Sequence, residues 1–205
     1  MARAKRLDRI FSAYFDLLEE GHGFRPAWIA ERADVTSANL RKDIVSEKDL
    51  LMSFRDQLDE AALTAVAEEE AGHSAMLEGL CARLEASYPY RSGLKVLRRR
   101  TLANPLMALC KAGSLAQSLS WIADASKFEA HDCRASRDIQ LVALYDRALQ
   151  KLVHDDENLT KTMALLDQGL MAISRRQENL SAMRPKRRSR KEESRSRKEE
   201  KPSTA

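Results

Sequence analysis

An all-α fold is what this sequence predicts, and three observations predict it. Apolar residues recur at three- and four-residue intervals through most of the chain, the spacing that gives a helix one buried face. Only 7 Gly and 5 Pro punctuate 205 residues, too few for the many turns of a sheet. A composition of 43% hydrophobic and 32% charged residues supports one helical globular unit with a small leading module.

The first helix is read from Leu7, Ile10, Phe11, Tyr14, Phe15, Leu17 and Leu18, and Gly21 and Gly23 end it. Pro26 suits a first helical turn, because its missing N–H has no intrahelical partner to lose. A short second helix is therefore expected from Pro26 to Ala33, carrying Trp28 and Ile29 inward. Asp34-Val35-Thr36 reads as a tight turn, with the Thr36 hydroxyl capping a third helix that faces Leu40 and Ile44 to the core. Ser46 with Asp49 three residues later resembles a capping box and opens a longer fourth helix bearing Leu50, Leu51, Phe54, Leu58, Ala61 and Leu63.

Beyond the acidic stretch at 68–73, helical patterns are expected at Met76–Tyr88, Leu94–Leu102, Pro105–Lys111 and Leu115–Ala123. The stretch SKFEAHDCR at 126–134 reads as a loop, followed by an amphipathic helix over Ser136–Val153 with Ile139, Val142, Leu149 and Leu152 on one face. In the last helix, Leu159, Met163, Leu166, Leu170 and Ile173 alternate at four and three residues, as in a heptad seam. With Leu141, Leu144 and Ala148 on the preceding helix, this predicts a four-helix homodimer interface built from the last two helices.

The formal net charge of +4 is unevenly placed. Arg184 to Ala205 holds 10 Lys/Arg and 4 Glu, so this segment carries +6 and the remainder −2. The tail contains RSRKEE twice and almost no apolar residue, which predicts a disordered basic segment over 183–205. Its interleaved Glu pairs suit a solubilising role as well as an electrostatic grip on nucleic acid or anionic lipid. The expected organisation is thus a helix-turn-helix module at 1–51, a helical domain at 52–182 and this tail.

Cys81, Cys110 and Cys133 are odd in number and lack any C-x-x-C spacing, so no disulfide framework or zinc knuckle is expected. No apolar run approaches the roughly 20 residues of a bilayer span, and the N-terminus lacks the apolar stretch of a signal peptide. A cytoplasmic protein without a transmembrane segment is expected.

The segment IAERADVTSANLRKDIVSEKDLL, Ile29 to Leu51, resembles the TetR-type helix-turn-helix, which shows I-A-x-x-A-G-V-S, a later Leu, and then Tyr, a basic residue, His, Phe, Pro and Ser-Lys-Glu. Ile29, Ala30, Ala33, Val35, Leu40 and Ser46 agree directly, with Thr36 in place of Ser and Ile44 in place of Phe. The resemblance spans about a quarter of the chain and implies a TetR-like homodimer that binds double-stranded DNA at a pseudo-palindromic operator, its third helices in successive major grooves about 34 Å apart. Where that family offers Tyr, His and Lys to phosphates, this chain has Arg41, Asp43 and Glu47. The two acids are expected to repel phosphate, and residues 1–51 hold nine Lys/Arg against nine Asp/Glu.

The DNA contacts the resemblance implies are Arg3, Lys5 and Arg6 as a flexible arm ahead of the first helix, Thr36, Ser37 and Asn39 at the start of the recognition helix, and Arg41, Lys42 and Lys48 for phosphates. Asn39 is chemically suited to read adenine, while the ordinary role of Thr36 is a helix cap.

A second resemblance covers the later chain. RLEASYPYRSGLKVLRRRTLANPLMAL, SWIADA and VALYDRALQKLVHDDENLTKTMALLD are similar to the C-terminal domain of the Coq-nine family, lipid-binding accessory proteins of ubiquinone biosynthesis that share the TetR fold. Pro105, Trp121, Tyr145, Asp156, Thr162 and Asp167 have counterparts in that pattern, and Leu152 stands where a Trp is common. This implies an interior cavity for a small apolar or lipid ligand, with Met107, Cys110, Leu119, Trp121 and Tyr145 as wall residues, types that equally serve as ordinary core.

Enzyme signatures are absent from the sequence: no phosphate-cradling Gly-rich loop, no G-x-S-x-G and no H-E-x-x-H. His22, His73, His131 and His154 are dispersed, and Glu129 with His131-Asp132-Cys133 are neighbours in sequence that rarely converge on one ion. No catalytic activity, cofactor or metal is expected. The function expected is a ligand-responsive transcriptional regulator, with a lipid-binding accessory protein that has lost its operator as the alternative.

Overall fold

The computed structural model describes residues 2–128, 134–153, 155 and 159–183, without the side chains of Ala2 and 180–183. The fold is all-α, and the described residues include no strand. In chain order the helices are α1 (Ala2–Glu19), α2 (Pro26–Arg32), α3 (Ser37–Asp43), α4 (Glu47–Glu68), α5 (His73–Ser87), a 3-10 turn at Tyr88–Tyr90, α6 (Arg91–Leu102), α7 (Pro105–Ala125), α8 (Arg134–Leu152) and α9 (Thr160–Met183).

Local chemistry sets the early boundaries. Pro26 lies in the first turn of α2. The Thr36 hydroxyl accepts from the Asn39 N–H at 3.2 Å and starts α3. Ser46 and Asp49 exchange both bonds of a capping box and start α4, each satisfying a backbone N–H that the first turn leaves without a partner. Leu40 and Ile44 are buried as their spacing predicts.

Two hydrophobic cores result. The first is built by α1, α2, α3 and the start of α4, and is closed from the far side by Tyr90 and α6. At its centre Phe54 meets Phe11, Phe15 and Tyr90 edge-on, with ring centroids 5.3, 4.9 and 5.2 Å apart. A Cβ at Gly93 of α6 would lie 2.7 Å from Phe15 Cβ and 2.8 Å from the Phe15 carbonyl oxygen, so only glycine lets α6 lie this close to α1. The second core joins α4, α5, α7, α8 and α9 around Met76, Leu80, Ile122, Leu144 and Leu166. Through it runs a polar cluster: buried Arg83 donates from Nε to Asp59 Oδ1 at 2.8 Å and lies over the Tyr145 ring, and the Ser118 hydroxyl donates to the same carboxylate. The α4 helix runs unbroken through both cores, so the division expected near residue 51 falls inside it.

Several expectations are corrected. Trp28 is 42% exposed rather than inward, because its ring stands against His22 and beneath the Arg25 guanidinium outside the core. Leu63 also faces outward, and Ala62 and Val66 take the buried face of α4. The two helices expected on either side of residue 113 are one, α7: Gly113 is exposed and leaves the i→i−4 ladder intact. On α8 the buried face is Leu141, Leu144, Tyr145, Ala148 and Leu152, whereas Ile139 is 70% exposed.

The seam of the last helix does not await a partner. Leu159, Leu166, Leu170 and Ile173 are buried within the chain's own second core, together with Leu141, Leu144 and Ala148. Gly169 allows this, since a Cβ there would lie 2.2 Å from Leu144 Cδ1. What α8 and α9 leave exposed is narrower: Ile139, Ala143, Ala164 and Met171 among polar neighbours. The Glu129 to Cys133 cluster, His154, Asp156 and the basic tail lie outside the described residues.

Candidate nucleic-acid interface and a cationic groove

The third helix, α3, presents Ser37, Arg41 and Lys42 to solvent, with Asn39 half-buried at its first turn. Lys48 is exposed in the first turn of α4 and Lys5 on α1. Among the described residues, no carboxylate is paired with Lys5, Arg41, Lys42 or Lys48. The Thr36 hydroxyl already accepts its capping bond, so its position is set by the helix start.

The expected flexible arm is helical. Arg3, Lys5 and Arg6 belong to α1, and two of them are drawn onto the end of α3. Arg6 donates to Asp43 Oδ2 through Nε at 2.8 Å and approaches it through NH2 at 2.7 Å, while Arg3 Nε lies 3.3 Å from Oδ1. The Asp43 side chain is only 7% exposed, so the acid expected to repel phosphate is turned inward and its charge is matched. Its place in the sequence made it look outward; the ion pair reverses that.

Glu47 is held in a similar way. Its Oε1 accepts from the Tyr14 hydroxyl at 2.6 Å and lies 3.8 Å from Arg100 of α6. Burial, and then the Glu47 carboxylate, push the Tyr14 hydroxyl far above its ordinary pKa, which keeps it a proton donor. Asp43 and Glu47 are therefore both tied to neighbouring helices, while Lys5, Arg41, Lys42 and Lys48 have no carboxylate partner among the described residues. Sequence reasoning passed over Arg25, which is exposed at the start of α2 with Trp28 beneath it.

The wall residues expected for a ligand cavity do not come together. Leu119 and Tyr145 are core, while Met107, Cys110 and Trp121 are exposed on α7. A cavity of about 750 Å³ lies elsewhere, in a groove between α6, α7 and α8, and none of the five lines it. Its floor is apolar, with Leu97, Leu115, Val142 and Leu149, and its walls carry Lys95, Arg98, Arg99 and Lys111.

Arg98 donates two bonds of 2.9 Å to Asp146, and this bidentate pair holds the Asp146 carboxyl below its usual range. Among the described residues, Lys111 has no carboxylate within ion-pair distance. Its ammonium donates to the Thr101 hydroxyl at 2.9 Å, and desolvation lowers its pKa, with Glu47 acting against that shift and Arg100 adding to it. The sequence signal for this groove was the run LKVLRRR in α6, where leucines alternate with cations around one helix.

All-α architecture with a capped, outward third helix and a separate helical core defines the TetR-like fold, and comparison with solved structures agrees. The chain is similar to a TetR transcriptional regulator from Rhodococcus sp. RHA1, with a TM-score of 0.54 at 15% identity over 84% of this chain and 97% of that one. No family model and no curated protein matches the sequence. Among the described residues, no helix is long and apolar enough to cross a membrane.

Proposed function

We propose that this protein is a DNA-binding transcriptional regulator of TetR type, not an enzyme, that acts in the cytoplasm as a ligand-responsive homodimer. In this reading 1–51 binds DNA, 52–182 binds ligand and dimerises, and 183–205 is a basic tail. The observation that carries it is the electrostatic arrangement around α3: Arg41 and Lys42 point outward with no carboxylate partner among the described residues, while Asp43 and Glu47 are paired inside the chain. Four free cations at one end of a module that is neutral overall supply the phosphate neutralisation that duplex binding needs.

Arg41, Lys42, Lys48 and Lys5 contact phosphates, and Arg3 and Arg6 brace α3 from behind. Ser37 and Asn39 reach base edges from the first turn of the recognition helix. Two such modules are presented together by a dimer contact through the outer faces of α8 and α9, where Ile139, Ala143, Ala164 and Met171 are exposed. The solved neighbour's description as a transcriptional regulator supports the same reading.

A ligand acts by population shift: binding one spacing of the two modules better than the other releases the operator in proportion to that preference. Binding isotherms at several salt concentrations test the proposal. Arg41→Ala and Lys42→Ala should each lower affinity for all duplexes and flatten the slope of log K against log[salt] by about 1, whereas Asn39→Ala relaxes preference among sites. Unchanged slopes in both cationic variants contradict it. The α6–α8 groove favours a second reading, a lipid-binding protein of the kind the Coq-nine resemblance implies, in which lipid binds and no duplex does.

A further inference from the structure

The groove between α6, α7 and α8 combines two features that a neutral apolar ligand would not require together. Its floor is hydrocarbon, and its walls are cationic well beyond internal need. Of the cations lining it, Arg98 is matched by Asp146, and Arg91 lies over the Tyr88 ring at 4.2 Å. Lys95, Arg99 and Lys111 have no carboxylate partner among the described residues. Lys111 is the most telling, since among the described residues its half-buried ammonium has the Thr101 hydroxyl as its one hydrogen-bond partner and feels the Glu47 carboxylate only from beyond ion-pair distance, which leaves room for an anion to complete its shell. At the rim, Ile139 and Leu102 expose 70% and 56% of their surface at the mouth of the groove.

We propose that this groove binds a single-chain amphiphile with an anionic head, such as a long-chain carboxylate, with the head at Lys111, Thr101 and Arg99 and the chain along Leu97, Leu115, Val142 and Leu149. The volume lies within the range of small-ligand sites. An anion at Lys111 engages the ammonium donors left over after the bond to Thr101, with Arg99 lining the same groove, and the ligand's chain covers apolar surface now open to water. The groove is also wired to the DNA-binding module. Its α6 wall carries Gly93 against Phe15 on one face and Arg100, near Glu47, on another. A head group drawn to Lys111 competes with Glu47 for cationic partners, and any movement of α6 is felt at α1. That regulatory consequence rests on the DNA-binding reading; ligand occupancy itself does not.

The test is titration calorimetry of the full chain, without DNA, using dodecanoate, decanoate and dodecanol. Dodecanoate should bind, decanoate about tenfold or more weaker for two lost methylenes, and dodecanol about tenfold or more weaker for the lost charge-assisted bonds. Lys111→Met should abolish the preference for acid over alcohol. Leu102→Glu, a change at the exposed rim beside Thr101 and away from the α8–α9 face, should weaken dodecanoate and spare dodecanol. Equal affinity for acid and alcohol, no effect of either variant, or no binding of either chain overturns the proposal. So does sedimentation with phosphatidylglycerol vesicles without binding of free dodecanoate, which would make the cations a membrane-facing surface. Loss of operator binding with dodecanoate binding intact would refute the regulator reading alone.

Discussion

Two glycines, one chemical change and opposite expected signs test the packing that joins the first hydrophobic core to the rest of the chain. Gly93→Ala puts a methyl group 2.7 Å from Phe15 Cβ and 2.8 Å from both Phe15 Cδ1 and the Phe15 carbonyl oxygen. Two of these atoms are fixed by the α1 backbone, so rotating a side chain cannot relieve the clash, and α6 must move off α1. Overpacking costs about 1–3 kcal/mol, and atoms fixed by the backbone put this clash in the upper part of that range, about 2–3 kcal/mol, of which alanine's better helix propensity returns about 1 kcal/mol at most. A net loss of about 1–2 kcal/mol lowers Tm by about 2–8 °C in a chain of this size. Gly113→Ala meets nothing within 4 Å on the exposed side of α7. It gains about 0.5–1 kcal/mol from helix propensity and raises Tm by about 1–4 °C. Thermal unfolding followed by far-ultraviolet circular dichroism reads both. If Gly93→Ala is neutral or stabilising, or if the two variants shift Tm in the same direction, the close approach of α6 to α1 is not what the structure describes.

Other perturbations give equally definite outcomes. Asp59→Ala leaves the Arg83 guanidinium, 4% exposed, without its counter-charge, and should cost about 3–5 kcal/mol in urea unfolding; a loss below about 1 kcal/mol would show that the buried pair is not intact. Asp43→Asn removes one negative charge and loosens Arg3 and Arg6, so nonspecific duplex affinity at low salt should rise and the salt slope steepen; weaker binding by a variant that is still folded would mean the pair is needed to aim α3. In thiol alkylation of the native protein with peptide mapping, exposed Cys110 should label readily. Cys81, whose thiol burial pushes up to about 12 with help from Glu78 and Glu85, should stay protected until unfolding, and early labelling of Cys81 would contradict the packing of α5.

Local signals carried much of this fold. The caps at Thr36 and Ser46 involve partners three residues away, and the structure keeps both. Burial was harder where apolar residues outnumber buried sites. Trp28 and Ile139 have the composition of core yet lie outside it, because a helix buries a face fixed by its neighbours and not every apolar residue it carries. The heptad seam of α9 is real as spacing, but spacing cannot say whether the matching helix belongs to a second copy or to the same chain; α8 and α5 supply it here, with Gly169 of α9 making room for Leu144 of α8.

The candidate sites were read with similar limits. The outward cations of α3 were legible because the motif fixes which face is exposed. The inward turn of Asp43 was not, since it depends on Arg6, 37 residues away. The groove escaped notice because its walls come from three helices, and cations on α6 look like solvated surface until Lys111 and Val142 are seen beside them.

Selection of bound duplexes from a random-sequence library, followed by sequencing and a measurement of the mass of the complex, tests the central claim most directly. A regulator of this kind enriches a two-fold symmetric sequence whose half-sites lie about one helical turn apart, bound by two copies of the chain. Arg41→Ala lowers the yield without changing the motif, and Asn39→Ala blurs one half-site position. Recovery of no enriched sequence, or of an asymmetric one bound by a single copy, contradicts the account.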